Sequence, residues 1–157
     1  MALTFAILVC GWPLIALAEK KETVGAIEEA ILLPWNIKIL ARVDTGAAAS
    51  SLDARDIAVK GKFVEFKLRD TGEGRLLRLP LVRWRKIRTS EGEARRPVVR
   101  LELCLGSQIV VTEVNLNDRS AMEYPFLIGR RLLSGRYIVD VSRQRMIPPK
   151  CHKEISH

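Results

Sequence analysis

Two stretches decide the fold: Ala41-Arg42-Val43-Asp44-Thr45-Gly46-Ala47 and, far along the chain, Phe126-Leu127-Ile128-Gly129-Arg130. In the first, Ile39, Leu40, Ala41 and Val43 make an apolar strand, and Asp44-Thr45-Gly46 makes a turn directly after it. In the second, an apolar run meets a glycine, then Arg131-Leu132-Leu133-Ser134 before Gly135. That pattern predicts one short helix over 130–134. Each stretch occurs once, so the chain carries one acidic turn of this kind and one apolar-glycine segment to pack behind it.

Outward from these stretches the chain reads as strands. Val64, Phe66 and Leu68 alternate with Glu65, Lys67 and Arg69, and Leu77, Leu79 and Leu81 continue the period after a turn. Val99, Leu101, Leu103 and Leu105 alternate with Arg100, Glu102 and Cys104; Val110, Thr112, Val114 and Leu116 alternate with Glu113, Asn115 and Asn117. A period of two marks half-buried antiparallel strands. Turns fall at Asp70-Thr71-Gly72-Glu73-Gly74, Glu91-Gly92 and Gly106-Ser107, and residues 136–141 return to strand. The expected fold class is all-β: a small closed β-barrel-like domain over residues 23–147 with one short C-terminal helix, followed by a structureless tail at 148–157.

Asp44 is the candidate catalytic residue. Two carboxyls held close cannot both ionise, so they share a proton and serve as base and acid to each other. One such aspartate per chain is half of that pair. Thr45 beside it can hydrogen-bond across the pair, and Gly46 and Ala47 let backbone N–H groups approach the carboxylate. A second Asp-Thr-Gly, Asp70-Thr71-Gly72, follows charged Lys67 and Arg69 and lies too near Asp44 in sequence for a second lobe. It reads as a β-turn, and Thr71, Gly72 and Gly74 form the candidate flap, a hairpin that closes over substrate.

These motifs resemble those of the retropepsins, single-domain homodimeric aspartic proteases with an Asp-Thr/Ser-Gly-Ala turn and a later aliphatic-aliphatic-Gly-Arg before a helix with a Leu-Leu pair. The match is closer to a bacterial branch long labelled ATP-dependent zinc proteases. On that side stand Glu28 or Glu29 in a first strand, Ala41 to Ala47, Ser50-Ser51-Leu52-Asp53-Ala54, Arg96-Pro97-Val98, Asp118-Arg119, Met122 and Pro125 to Arg130. Asp53 stands where many relatives have His, and Ala49 where many have Thr. The resemblance implies an aspartic endopeptidase active as a homodimer, two copies of Asp44 facing each other across a two-fold axis. Leu127, Ile128 and Gly129 would pack behind the turn. Read from its own position after the glycine, Arg130 is expected in a buried ion pair holding the helix, the alternative being an acidic partner across the dimer or near Asp44; Asp118-Arg119 supplies one such partner or is simply a turn.

The zinc label finds no ligand set: His152 and His157 lie in the tail, with no His-Glu-x-x-His. The ATP label finds no Gly-x-x-x-x-Gly-Lys-Ser/Thr loop. No cofactor and no metal is expected. Residues 1–18 carry no charge and end in Ala16-Leu17-Ala18, which reads as a signal peptide or, alternatively, a membrane anchor. Either reading predicts a periplasmic or secreted domain. Cys104 and Cys151 then make one disulfide or two free thiols. Lys+Arg 26 against Asp+Glu 18 gives a net charge of +8. That charge favours acidic protein or peptide substrates, anionic envelope polymers or a membrane-protein partner, and an exported chain meets no nucleic acid. Trp84 among Arg83, Arg85, Lys86 and Arg88 reads as a charged strand edge. The rival to the protease is a non-catalytic β-barrel module that docks its basic face on an anionic envelope component or protein partner.

Overall fold

A hairpin begins the barrel. Strand β2 (Ile27–Leu33) alternates half-buried and buried positions, and it turns through Pro34-Trp35-Asn36 into β3 (Ile37–Val43). Asn36 takes the left-handed conformation there, with φ 55°. The structure, a computed structural model, describes residues 20–69, 74–89 and 92–151. The leader at 1–18, Thr71 and Gly72 of the candidate flap, and His152 and His157 lie outside those residues. Gly74 is described and sits at φ 57° on the approach to β7 (Leu76–Thr89).

Beyond the hairpin come β4 (Ser50–Asp53), β5 (Arg55–Lys60), β6 (Phe63–Lys67), β7, β8 (Gly92–Leu105), β9 (Gln108–Asn117) and β10 (Phe126–Ile128). They are hydrogen-bonded in the order β2-β3-β10-β4-β9-β8-β7-β6-β5, and an added β2–β8 pairing closes the first six into a ring. The all-β barrel expected from the alternation is therefore present. Its interior holds Leu32, Leu52, Leu101, Leu103, Leu105, Leu116, Phe126 and Ile128, all at 0–1 % exposure. Phe66 and Leu77 extend the core under the flanking strands. The helix is α1 (Arg130–Leu133), one turn, with Leu132 and Leu133 buried.

β6 covers β7 only as far as Pro80, and the register then shifts between Leu81 and Arg83. Past that point β7 pairs, among the described residues, with β8 alone, which leaves the Arg83-to-Arg88 edge without a second strand, as its charge pattern predicts. The outward side of this ribbon carries Trp84 with the Arg95 guanidinium 5.4 Å from its ring centre.

The chain ends differ from expectation. β1 (Glu22–Val24) lies parallel to β11 (Tyr137–Val139) as a separate two-stranded sheet. Residues 148–151, expected to begin a structureless tail, are held: the Lys150 N–H donates to the Gly106 carbonyl at 2.7 Å, and Cys151 is disulfide-bonded to Cys104 on β8. The segment before them crosses β2, where Arg145 N–H donates to the Ile27 carbonyl at 2.7 Å. Glu28 explains that path. Its side chain is fully buried and accepts N–H bonds from Gly25 at 2.6 Å, Met146 at 3.1 Å and Ile147 at 3.2 Å. A buried carboxylate needs such donors, and the returning chain supplies two of them. This leaves no apolar periodicity, so the tail is silent in sequence. The bond joins residues 47 apart. Replacing both cysteines by alanine is expected to lower unfolding stability by about 3 kcal/mol, read as a lower urea midpoint that reductant reproduces on the unaltered chain.

Candidate active site

β10 is inserted between β3, to which it runs parallel, and β4, to which it runs antiparallel. This places Ile128 opposite Val43, and the Asp44 N–H donates to the Ile128 carbonyl at 2.9 Å. The two stretches that decide the fold therefore meet at Asp44. The side chain is half-buried. Its Oδ1 accepts the N–H of Gly46 at 2.8 Å and of Ala47 at 3.1 Å. Two backbone donors on one oxygen fix the carboxylate and leave Oδ2 for other partners. A Cβ on Gly46 would stand 3.1 Å from Oδ1, so the glycine leaves the carboxylate room.

The segment behind the turn is packed as the motif implies. Leu127 and Ile128 lie on β10, with Ile128 fully buried. A Cβ on Gly129 would meet the Ala49 backbone at 2.5 Å, so only glycine allows the chain after β10 to cross the chain before β4. The Gly129 N–H donates to Ser50 Oγ at 3.1 Å, and the N–H groups of Arg130 and Arg131 donate to the carbonyls of Ala47 and Ala48. Ser50, Ser51 and Asn115 form a buried polar seam that ties β4 to β9: the Asn115 amide donates to the Ser50 carbonyl at 2.7 Å, and Ser51 Oγ donates to Asn115 and Asn117.

Arg130 departs from expectation. Instead of a buried ion pair, its exposed guanidinium donates to the Thr45 carbonyl at 2.8 Å and the Gly46 carbonyl at 2.7 Å. The turn's carbonyls point outward because its N–H groups turn in toward Asp44, so a cation is the natural cap. Asp118 is not its partner: the Ser120 hydroxyl first, and then the Ser120 N–H that donates to Asp118 Oδ1 at 2.8 Å, hold its carboxyl below the ordinary range.

Asp53, in the position where relatives have His, is fully buried at the end of β4. It accepts the Arg119 N–H at 2.6 Å and pairs with Arg69 Nε at 3.2 Å. Arg69 also donates to the carbonyls of Ser120 at 3.1 Å and Met122 at 3.2 Å. The pair thus links β4, the end of β6 and the loop that leads into β10.

A group of cations lies on the same side. Burial pulls the Arg119 guanidinium below its ordinary pKa; the Asp53 and Asp44 carboxylates oppose that shift, and Arg96 and Arg69 reinforce it. Its Nε is buried with no hydrogen-bond partner among the described residues. Arg96 is lowered likewise, by burial and then by Arg85, which stands directly opposite it across the β7–β8 ribbon. Like charges at directly opposed positions destabilise a sheet. Arg96 and Arg69 thus act on Arg119 with one sign, and the Asp53 and Asp44 carboxylates with the other. Only the Arg-Pro-Val and Asp-Arg motifs mark Arg96 and Arg119 in sequence, and nothing there places them together.

A family model described as RimB-like, retropepsin-like aspartic endopeptidase RimB, matches residues 23–150. A probable alpha-L-glutamate ligase of Parasynechococcus marenigrum is 34% identical over 111 residues, which is 65% of this chain and 24% of that protein. Another, of Shewanella pealeana, is 32% identical over 126 residues, 74% of this chain and 28% of the relative. The chain thus spans about a quarter of the length of these relatives. A crystal structure from Legionella pneumophila, protein Lpg0085 of unknown function, superposes with a TM-score of 0.70 at 27% identity, covering 81% of this chain and 98% of that one. With a match across nearly the whole described domain, this chain belongs to the RimB-like family of retropepsin-like aspartic endopeptidases.

Proposed function

We propose that the chain is an exported aspartic endopeptidase that cleaves acidic peptides through an Asp44–Asp44 dyad built by two copies. The observation that carries the reading is the Asp44 carboxylate, held at Oδ1 by two backbone N–H groups. In a dyad one carboxylate takes a proton from water while its protonated neighbour gives one to the carbonyl oxygen of the scissile bond. Thr45 orients the pair from the partner side, and Arg130 keeps the turn rigid. No metal or other cofactor takes part in these steps.

The substrate class follows from charge. Arg96, Arg85 and Arg69 crowd positive charge around Arg119, which the Asp53 and Asp44 carboxylates oppose, and a carboxylate-bearing peptide would relieve the repulsion that remains. The names of the relatives, probable alpha-L-glutamate ligases, agree with a domain that works on glutamate-containing chains. Export is supported by the uncharged leader and by the Cys104–Cys151 bond. The β7–β8 ribbon is a candidate cover over substrate, beside the flap expected from sequence at Thr71, Gly72 and Gly74. A module that only docked its basic face on an envelope component would leave the Asp44 turn without a role.

The test is to incubate the full chain with matched peptides of acidic, neutral and basic composition across acidic to neutral pH, reading products by mass spectrometry. Cleavage of the acidic set first is expected. Titrating in Asp44→Ala protein should then depress activity by forming mixed dimers. Activity that ignores the added subunit would defeat the two-copy dyad, and tight binding of acidic peptides without any product would favour the docking module.

A further inference from the structure

The first half of β3 has an open edge. The Val43 N–H donates to the Ala26 carbonyl, on the β2 side, and the Asp44 N–H donates to the Ile128 carbonyl, on the β10 side. Polar backbone groups alternate between the two edges of a strand. Counting back, residues 41, 39 and 37 address β2, and residues 42, 40 and 38 address the other edge. β10 begins only at Phe126, opposite Ala41. Pro125 before it has no N–H to offer, and a parallel neighbour starting there reaches back to the Leu40 carbonyl and no further. The Leu40 N–H and both polar groups of Lys38 therefore have no strand beside them among the described residues. Along this edge runs a groove of about 560 Å³, lined by residues 37–40 together with Leu68, Arg69, Glu123 and Pro125. It is separate from the acidic turn: Leu40 precedes Asp44 by about 13 Å along the strand.

We infer that this groove is a second peptide site, where a distal stretch of the substrate chain adds to β3 as a strand. This rests on the peptidase reading above and gives that enzyme a grip outside its cleavage site. An open sheet edge takes an extended backbone through main-chain hydrogen bonds, and the walls beside it select side chains. Lys38 and Leu40 share one face of β3 by the strand period. Lys38 is exposed, with no ion-pair partner among the described residues, and Leu40 is half-buried. Ile39 on the other face is buried, as is Leu68. The segment that fits carries an acid beside Lys38, an apolar residue two positions away beside Leu40, and apolar residues between and around them. From Ala41 onward β10 occupies the same edge of β3. One straight strand cannot fill both the groove and the Asp44 site, so the stretch that is held lies several residues from the bond that is cut.

The probe is a fluorescein-labelled peptide, Ser-Val-Glu-Val-Leu-Val-Ser, added to the full chain. Anisotropy reads its binding, and amide hydrogen exchange reads Lys38 and Leu40. Saturating peptide is expected to slow exchange at both amides at least tenfold. Only alternate residues of an added strand bond to β3. N-methylating the glutamate and leucine of the probe, or instead its valines, should therefore differ at least tenfold in effect. Lys38→Pro removes a groove-side N–H and leaves the bonds to β2 in place. It should weaken binding at least tenfold while unfolding at the same urea concentration. Lys38→Glu should prefer a probe with lysine in place of glutamate. Equal effects of the two methylated sets, binding that leaves both amides unprotected, or undiminished binding by Lys38→Pro would overturn the inference. So would slow exchange at both amides before peptide is added, which would mean that the chain itself or a second copy covers the edge. Binding and protection without cleavage of any peptide keep this site and defeat the peptidase reading. Cleavage of acidic peptides without probe binding keeps the peptidase and defeats this site.

Discussion

Asp44→Asn is expected to lower peptide cleavage by roughly 10⁴-fold while leaving the fold in place. The asparagine oxygen can still accept the Gly46 and Ala47 N–H groups that hold Asp44 Oδ1, so the turn keeps its framework and stability should change by no more than about 1 kcal/mol. What disappears is the shared proton. In the proposed dimer both copies carry the change, so neither base nor acid remains. The measurement is turnover on an acidic peptide beside a urea unfolding curve of the same sample. Turnover within tenfold of the unaltered chain would remove Asp44 from the chemistry, and a collapsed unfolding midpoint would assign it to structure instead.

Asp53→Ala is expected to cost about 3–5 kcal/mol of stability. The lost carboxylate is fully buried, and its removal takes the ion-pair partner from Arg69 and the acceptor from the Arg119 N–H. The cost reflects the abandoned cation more than the lost attraction. The double variant Asp53→Ala/Arg69→Met should therefore be more stable than Asp53→Ala alone. Urea midpoints of the three proteins decide this, and equal midpoints for the single and double variants would show the two residues to be uncoupled. The loop that carries Arg119 hangs from this pair, so Asp53→Ala should also weaken selection of acidic over neutral peptides.

Much of this molecule was legible in its sequence because strands announce themselves by period. The alternation at Val99–Leu105 and Val110–Leu116 placed β8 and β9 well. The joining of Asp44 to Ile128 was foreseeable because both motifs need a partner for one apolar strand. Closure of the ring by β2 against β8 was not, since an antiparallel edge can accept any strand of suitable face. Arg130 misled because an arginine after a buried glycine suggests an acid nearby, whereas here the acceptors are carbonyls, which every residue has. The Asp53–Arg69 pair and the fastening of Cys151 depend on residues far apart whose types are common. The proximity of Arg96 and Arg119 exists only once the ribbon is folded over.

The insertion of β10 between β3 and β4 carries one last consequence, for synthesis rather than catalysis. Residues 41–43 and 51–52 meet their central strand only when residues 126–128 have been made. Pairings so distant along the chain form late and slowly. A nascent chain therefore holds Asp44 on an unfinished turn until almost all of the domain has left the ribosome. A truncated product lacking β10 would keep that turn unfinished. The topology ties completion of the Asp44 turn to completion of the chain itself.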